Sequence, residues 1–219
     1  MHVRVNAASS VDGKLSSRRR QQVTISGPED FDRVDQLRAD SDAVMVGVGT
    51  VLADDPSLTV DDADRIAARE RRGDPAQPAR VVADSTLRTP ADARVLDDAA
   101  ETFLLAADTV SETAIEAMER EGVTVITAGE DRVELPAAFE RLEAAGVEDL
   151  MVEGGGELIF SLFAAELVDE LSVYVGSKII GGREAPTLAD GAGFVDSFPA
   201  LTLDAVERLD DGVLLTYCR

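Results

Sequence analysis

Apolar and polar positions along the chain change rhythm several times, and each rhythm predicts an element. Val3 and Val5 alternate with polar neighbours, so residues 2–8 read as a strand. Ser26-Gly27-Pro28-Glu29 has the form of a helix start, with Ser and Glu spaced as a capping box and Pro in the first turn. Phe31, Val34 and Leu37 follow at spacing three, which predicts a helix over 28–40 with Asp30, Asp32 and Asp35 on a solvated face. DAVMVG (42–47), ARVVADS (79–85), TFLLAA (102–107) and VTVITA (123–128) are continuous apolar runs, typical of strands buried on both faces. Helical spacing returns at 111–121 and again at 135–146, where Gly146 ends the helix. DLMVE (149–153) is one more strand, followed by three glycines and a helical pattern. DELSVYVGSKII, LTLDAVERL and VLLTYCR close the chain, the last two joined by the hairpin turn Asp210-Asp211-Gly212.

Alternating strands and helices imply parallel strands with right-handed crossovers. The expected fold is therefore α/β: a single domain over 1–219 with a mixed, mostly parallel sheet flanked by helices and a C-terminal antiparallel hairpin. Residues 61–78 are polar, contain two prolines and read as a surface excursion.

Composition narrows the function. Net charge is −22 over 219 residues, and lysine occurs only at Lys14 and Lys178. Such a surface repels nucleic acid, so no nucleic-acid partner is expected. The acids are spread along the chain, which suits a cell interior at high salt, where screening removes self-repulsion. No apolar run approaches the roughly 20 residues of a membrane span. The N-terminus enters a strand with no apolar leader, so a cytoplasmic protein is expected. One cysteine, Cys218, and one histidine, His2, exclude an internal disulfide and a zinc site built from such residues. No metal is expected, and the chemistry falls to a cofactor or to carboxylates.

Three strand exits carry candidate chemistry. Gly154, Gly155 and Gly156 lie where a buried strand gives way to a helix. Glycines there let a ligand approach the backbone, and the first helical N–H groups form an anion site, suited to a pyrophosphate. Glu157 in that first turn opposes a phosphate but suits the helix dipole. Glu153 ends the strand, where a carboxylate could accept from an amino-substituted ring or simply be solvated. At the second exit, VGVGTVLADDPSLTV (46–60), Thr50 and Asp54 share one face of a short helix. At the third, Asp84, Ser85 and Thr86 follow a strand end with Arg88 close by; hydroxyls and an arginine suit a phosphate monoester such as the 2′-phosphate of NADPH. Neither G-x-G-x-x-G after a strand nor a P-loop is present.

SSVDGKL, LRADSDAVMVGVGTVLADDPSLTV, RVVADSTLRTP, VEGGGELI and LVDELSVYVGSKIIGGREAP, in that order, resemble the riboflavin-biosynthesis reductases in their stand-alone archaeal form. The likeness runs from Val5 to about Phe194. It implies a dihydrofolate-reductase-like fold, a homodimer, and NADPH-dependent reduction of the ribosyl group of a phosphorylated pyrimidine. It also implies that Thr50, Asp54 and Ser85 contact NADPH, beside the Asp84 and Arg88 proposed from the strand exit itself, with Gly154–Glu157 on its pyrophosphate and the backbone near Ser9 beside the nicotinamide. Arg38, Leu58 and Glu153 would contact the substrate. Where bacterial relatives carry a phosphate-binding arginine this chain has Asp61, with Arg65 or Arg38 as replacements. Glu157 stands where a small hydroxyl residue is usual. The deaminase signature of the bifunctional relatives is absent.

Two other readings fit the same elements: a dihydrofolate reductase or other pteridine or pyrimidine reductase, and a nucleotide-binding module without catalysis. For the reductase, the proton that accompanies the hydride has three side-chain candidates, Asp12, Lys14 and Glu153, besides water.

Overall fold

The structure, a computed structural model, describes all 219 residues. Its chain-order elements are β1 (His2–Ser10), α1 (Pro28–Asp40), β2 (Ala43–Gly47), α2 (Val48–Asp54), α3 (Ala63–Arg72), β3 (Ala79–Ala83), β4 (Thr102–Ala106), α4 (Glu112–Arg120), β5 (Thr124–Thr127), α5 (Leu135–Ala144), β6 (Asp149–Gly154), α6 (Gly156–Ala164), β7 (Glu170–Gly176), β8 (Thr202–Leu209) and β9 (Gly212–Cys218). This is the expected mixed α/β fold, mostly parallel and ending in an antiparallel hairpin. The chain divides into two compact units, one of Met1 with Asp35–Met151, the other of His2–Val34 with Val152–Arg219.

In the first unit the strands run β5-β4-β3-β2-β6. β2 to β5 are parallel, with Val44 opposite Arg80 and Val82 opposite Leu104. Continuous apolar runs buried on both faces make this the core, where Val44, Val46, Val51, Leu58, Val82 and Leu104 pack together. Arg80, fully buried on β3, holds the 94–102 segment. Its Nε donates to Thr102 Oγ1 at 3.0 Å, and its Nη1 to Asp97 Oδ1 at 2.7 Å and Arg94 O at 3.1 Å. A buried guanidinium needs such full use of its donors to offset desolvation.

Residues 61–78 are mostly exposed, in keeping with the surface excursion their polarity suggested, and they are folded. They hold α3, whose Arg69 is buried and donates to Ala39 O and Ser41 O at 2.8 and 2.7 Å and to Pro75 O at 2.9 Å. Carbonyl acceptors on a neighbouring helix end fix the segment, and hydrophobic periodicity gives no sign of such a contact.

In the second unit the order is β6-β1-β7-β9-β8. β1 and β7 are parallel, with Asn6 opposite Ser172; β7–β9 and β8–β9 are antiparallel. β6 gives its first three residues to one unit and its last three to the other.

Two expectations about α1 need correction. Ser26 and Glu29 form no capping box: the N–H groups of Glu29 and Asp30 donate to Asp210 Oδ1 and Oδ2 at 3.1 and 3.0 Å, while Ser26 Oγ donates to the Asp30 carboxylate. A carboxylate from the β8–β9 turn outcompetes the hydroxyl for the helix N-terminus because its charge also meets the dipole. Nor is the acidic face all solvated. Asp30 is 1% exposed and accepts from Arg33 Nε and Nη2 at 3.0 and 2.8 Å. Asp35 accepts from Asp61 N and Asp62 N at 2.6 and 3.2 Å and from Arg65 at 2.9 Å.

Candidate functional site

In the second unit, β1 ends in a tight turn. Ser10 N donates to Lys14 O at 2.9 Å, Gly13 N to Ser10 O at 2.8 Å and Lys14 N to Ser10 Oγ at 2.9 Å, with Gly13 at φ 76°. Ser9, just before it, is buried in the strand. Asp12 extends from the turn and accepts from Ser10 Oγ at 2.6 Å, Ile180 N at 3.0 Å and Gly181 N at 2.7 Å. The Ser10 hydroxyl foremost, with those two N–H groups, lowers the Asp12 carboxyl from 3.8 to about 2. At neutral pH Asp12 is therefore held as a carboxylate that accepts hydrogen bonds from the turn and from the 180–181 backbone. Lys14 is half-buried, and its amine donates to Ala185 O at 3.3 Å.

Glu153, next to last in β6, is half-buried and engaged by a neighbouring group. The glycines that follow have different reasons. Gly154 sits at φ 126°, a conformation that side chains avoid, and a Cβ there would meet nothing within 4 Å. Its open side suits close approach by a ligand. Gly156 is a packing requirement: a Cβ would lie 2.3 Å from Thr187 O and 2.9 Å from Asp190 Oδ2. The close approach anticipated for a ligand is made here by the chain's own 187–190 turn, in which Asp190 accepts from Thr187 N and Oγ1. Gly155 caps α6 without a side-chain acceptor, so the helix starts as a row of backbone donors, with Glu157 exposed beside it.

In the first unit, β2 runs straight into α2. Gly47 is its N-cap with no side-chain cap, and Gly49 has open space where a Cβ would stand. Thr50 is half-buried and Asp54 exposed on this helix. Partial desolvation of the Asp54 carboxyl pushes it above its ordinary value, although the residue as a whole stays exposed. Leu58 is 1% exposed and belongs to the core, at φ 56°. Its side chain has no surface to offer a substrate, so only its backbone could make the contact. Arg38 Nη1 donates to Thr59 O at 2.9 Å, fixing the Ser57–Val60 segment to α1. Arg65, one candidate for the missing phosphate arginine, is held by Asp35 and by Gln36 Oε1 at 2.9 Å. Both arginines that could replace it are thus engaged within the protein, Arg38 on Thr59 O and Arg65 on Asp35 and Gln36.

At the β3 exit, Asp84 is fully buried. Its Oδ2 accepts from Thr89 N and Oγ1 at 2.7 and 2.8 Å, and its Oδ1 is buried without a partner. Through Oδ2, Asp84 shapes the turn. Ser85 Oγ accepts from Val133 N at 3.1 Å, leaving its hydroxyl proton to donate, and Arg88 is exposed. Taken unit by unit, the backbone N–H groups at the start of α6 suit a pyrophosphate, and the hydroxyl and guanidinium after β3 suit a phosphate monoester. No three His, Cys, Asp or Glu side chains meet in a metal-ligating group.

The profile of the RibD C-terminal domain matches residues 1–215. A protein of Archaeoglobus fulgidus named 2,5-diamino-6-ribosylamino-4(3H)-pyrimidinone 5′-phosphate reductase is 45% identical over 215 residues, covering 98% of this chain and 96% of its own. A protein of the same name from Methanothermobacter thermautotrophicus is 42% identical over 203 residues, with 93% and 90% covered. Among solved structures, a pyrimidine reductase-like protein of Corynebacterium diphtheriae superposes with a TM-score of 0.84 at 21% identity, covering 99% of this chain and 91% of that one. RibD of Acinetobacter baumannii gives 0.79 at 23% identity, covering 99% and 57%.

Proposed function

Since the chain belongs to the RibD C-terminal domain family, we propose that it reduces 2,5-diamino-6-ribosylamino-4(3H)-pyrimidinone 5′-phosphate to the ribitylamino product in riboflavin biosynthesis. The observation that carries this is the 45% identity to the Archaeoglobus reductase across 98% of the chain.

In the ring-opened substrate C1′ is an imine carbon; hydride adds there, a proton reaches the nitrogen, and an amine remains. NADPH supplies the hydride. The protein's part is to position and to exclude water. Gly154, Gly155, Gly156 and the uncapped start of α6 receive the pyrophosphate. Thr50 and Asp54 on α2, with Ser85 and Arg88 after β3, receive the adenosine side and its 2′-phosphate. The backbone at Ser9 borders the nicotinamide. Arg38, Glu153 and the backbone at Leu58 face the substrate. Asp12, Lys14, Glu153 and water are the candidate proton sources.

The same reading includes a cytoplasmic enzyme of a salt-accumulating cell, and no helix is long and apolar enough to cross a membrane. It also includes a homodimer through β8, whose Leu203 and Val206 are 51% and 59% exposed at the outer end of the second unit's strands. Light scattering in molar KCl should return twice the chain mass.

The decisive assay mixes pure protein with the pyrimidine phosphate and NADPH or NADH, in parallel with dihydrofolate. Oxidation of NADPH with the pyrimidine, faster than with NADH and absent with dihydrofolate, is expected. Turnover of dihydrofolate alone transfers the protein to another reductase class. Binding of NADPH without turnover of either makes it a nucleotide-binding module.

A further inference from the structure

Positive charge is unevenly placed in this acidic chain. Segments 10–25 and 177–187 contain six basic residues, including both lysines of the protein, against two acids, Asp12 and Glu184. The two segments are fastened together. Val11 N donates to Lys178 O and Leu15 N to Pro186 O, both at 2.9 Å; Lys14 bridges Thr187; Lys178 Nζ donates to Thr24 O. Asp12, the acid of the first segment, is turned onto the N–H groups of Ile180 and Gly181. Its charge therefore serves the fastening and leaves the arginines alone.

Those arginines are Arg18, Arg19 and Arg20, consecutive and exposed, with Arg183 exposed on the other segment. A Cβ on Gly182 would lie 3.3 Å from Arg18 Cβ, so the two strings run side by side there. The run is shaped by a turn closed on Ser17. Ser17 Oγ accepts from Arg19 N and Gln21 N at 3.3 and 3.2 Å, Ser17 N donates to Gln21 O at 3.1 Å, and Arg20 N donates to Ser17 O at 2.8 Å. Arg20 adopts φ 58°, unfavourable for a side chain of that size. Elsewhere in the chain arginines such as Arg4, Arg33, Arg65, Arg80 and Arg219 pair with carboxylates. These four guanidinium groups pair with none, in a protein with 43 acidic residues. Like charges crowded in a built turn, with their local acid tied away, are what an incoming dianion would satisfy.

We propose that Arg18, Arg19, Arg20 and Arg183 form a phosphate-monoester clamp on the β1–α1 loop. It rests on the reductase reading for its ligand, because both the substrate's 5′-phosphate and the cofactor's 2′-phosphate have this chemistry.

The test replaces Arg18, Arg19 and Arg20 together by Gln, with Arg208→Gln as a control for loss of an exposed arginine outside the two segments. Calorimetry first measures ribose 5-phosphate and ribose on the wild type and variants, a readout independent of turnover. Ribose 5-phosphate should bind the wild type and Arg208→Gln alike, and the triple variant about tenfold more weakly or worse; ribose should not discriminate. Steady-state kinetics then separates the sources. A raised KM for the phosphorylated pyrimidine with an unchanged NADPH-to-NADH ratio assigns the clamp to the substrate. A collapsed NADPH-to-NADH ratio with an unchanged pyrimidine KM assigns it to the cofactor. Unaltered ribose 5-phosphate binding together with unaltered kinetics, in a variant whose circular dichroism and Tm match the wild type, overturns the proposal. If the wild type reduces no pyrimidine yet its ribose 5-phosphate binding depends on the triple, the clamp stands and only the reductase reading falls.

Discussion

Asp210, in the turn between β8 and β9, caps a helix 180 residues earlier by accepting from Asp30 N at 3.0 Å. The cap joins the last hairpin to the first helix, and the space for it exists only because Gly27 has no side chain: a Cβ there would lie 2.4 Å from Asp210 Cγ. Asp210→Ala should cost about 1 kcal/mol of stability, read by guanidinium unfolding. Hydrogen exchange at the Glu29 and Asp30 amides should accelerate in Asp210→Ala and stay slow in Ser26→Ala. The reverse pattern would restore the local capping box.

Asp12 gives a pH prediction whose sign is fixed. Its carboxyl is lowered from 3.8 to about 2, so its contribution to stability is complete above the ordinary value and is lost as pH falls toward 2. Carbon-detected NMR of the side chain should show the midpoint near the lower figure. Ser10→Ala removes the largest cause and should move it up toward 3.8. A midpoint already ordinary in the wild type would show that the Ser10 hydroxyl and the two N–H groups do not hold the carboxylate.

The two glycines at the β6 exit should fail for different reasons. Gly156→Ala drives a methyl into Thr187 O and should destabilise by about 1–3 kcal/mol. Gly154→Ala meets open space but carries φ 126°, a strain of about 1–2 kcal/mol. A second substitution, Asp190→Ala, should soften the first variant and leave the second unchanged. Denaturant midpoints for the four combinations decide this.

Arg38 links α1 to the Ser57–Val60 segment through Thr59 O. With Asp61 in place of an arginine and Arg65 committed to Asp35, Arg38→Ala should lower kcat/KM for the pyrimidine about tenfold to a hundredfold. Cofactor affinity should hold. Arg38→Lys should recover part, since an ammonium makes the carbonyl bond but not the bidentate fork. Loss of cofactor binding with normal pyrimidine KM would confine Arg38 to supporting the loop.

A net charge of −22 should make stability depend on salt. Tm should rise from dilute buffer to molar KCl as carboxylate repulsion is screened. A flat profile would remove the salt-adapted reading.

The amino-acid sequence by itself determined the elements and their class. Runs such as DAVMVG and TFLLAA are apolar on both faces, so they had to be central parallel strands, and they became β2 and β4. The glycines after β6 and the loops after β2 and β3 were legible because a backbone that must bend sharply at a strand exit selects Gly, Asp and Ser. What tertiary structure decided was the partner of each polar side chain. Asp210 rather than Ser26 caps α1, Thr187 and Asp190 explain Gly156, and Asp84 and Leu58 turn inward from positions that looked ligand-facing. The carboxylates of Asp30 and Asp35 are engaged, and a polar stretch became α3 through Arg69. The physical reason is range. Periodicity records burial of a segment against any apolar surface, whereas a hydrogen bond needs one donor and one acceptor within about 3 Å, and residues 180 positions apart reach that distance only after the chain has folded.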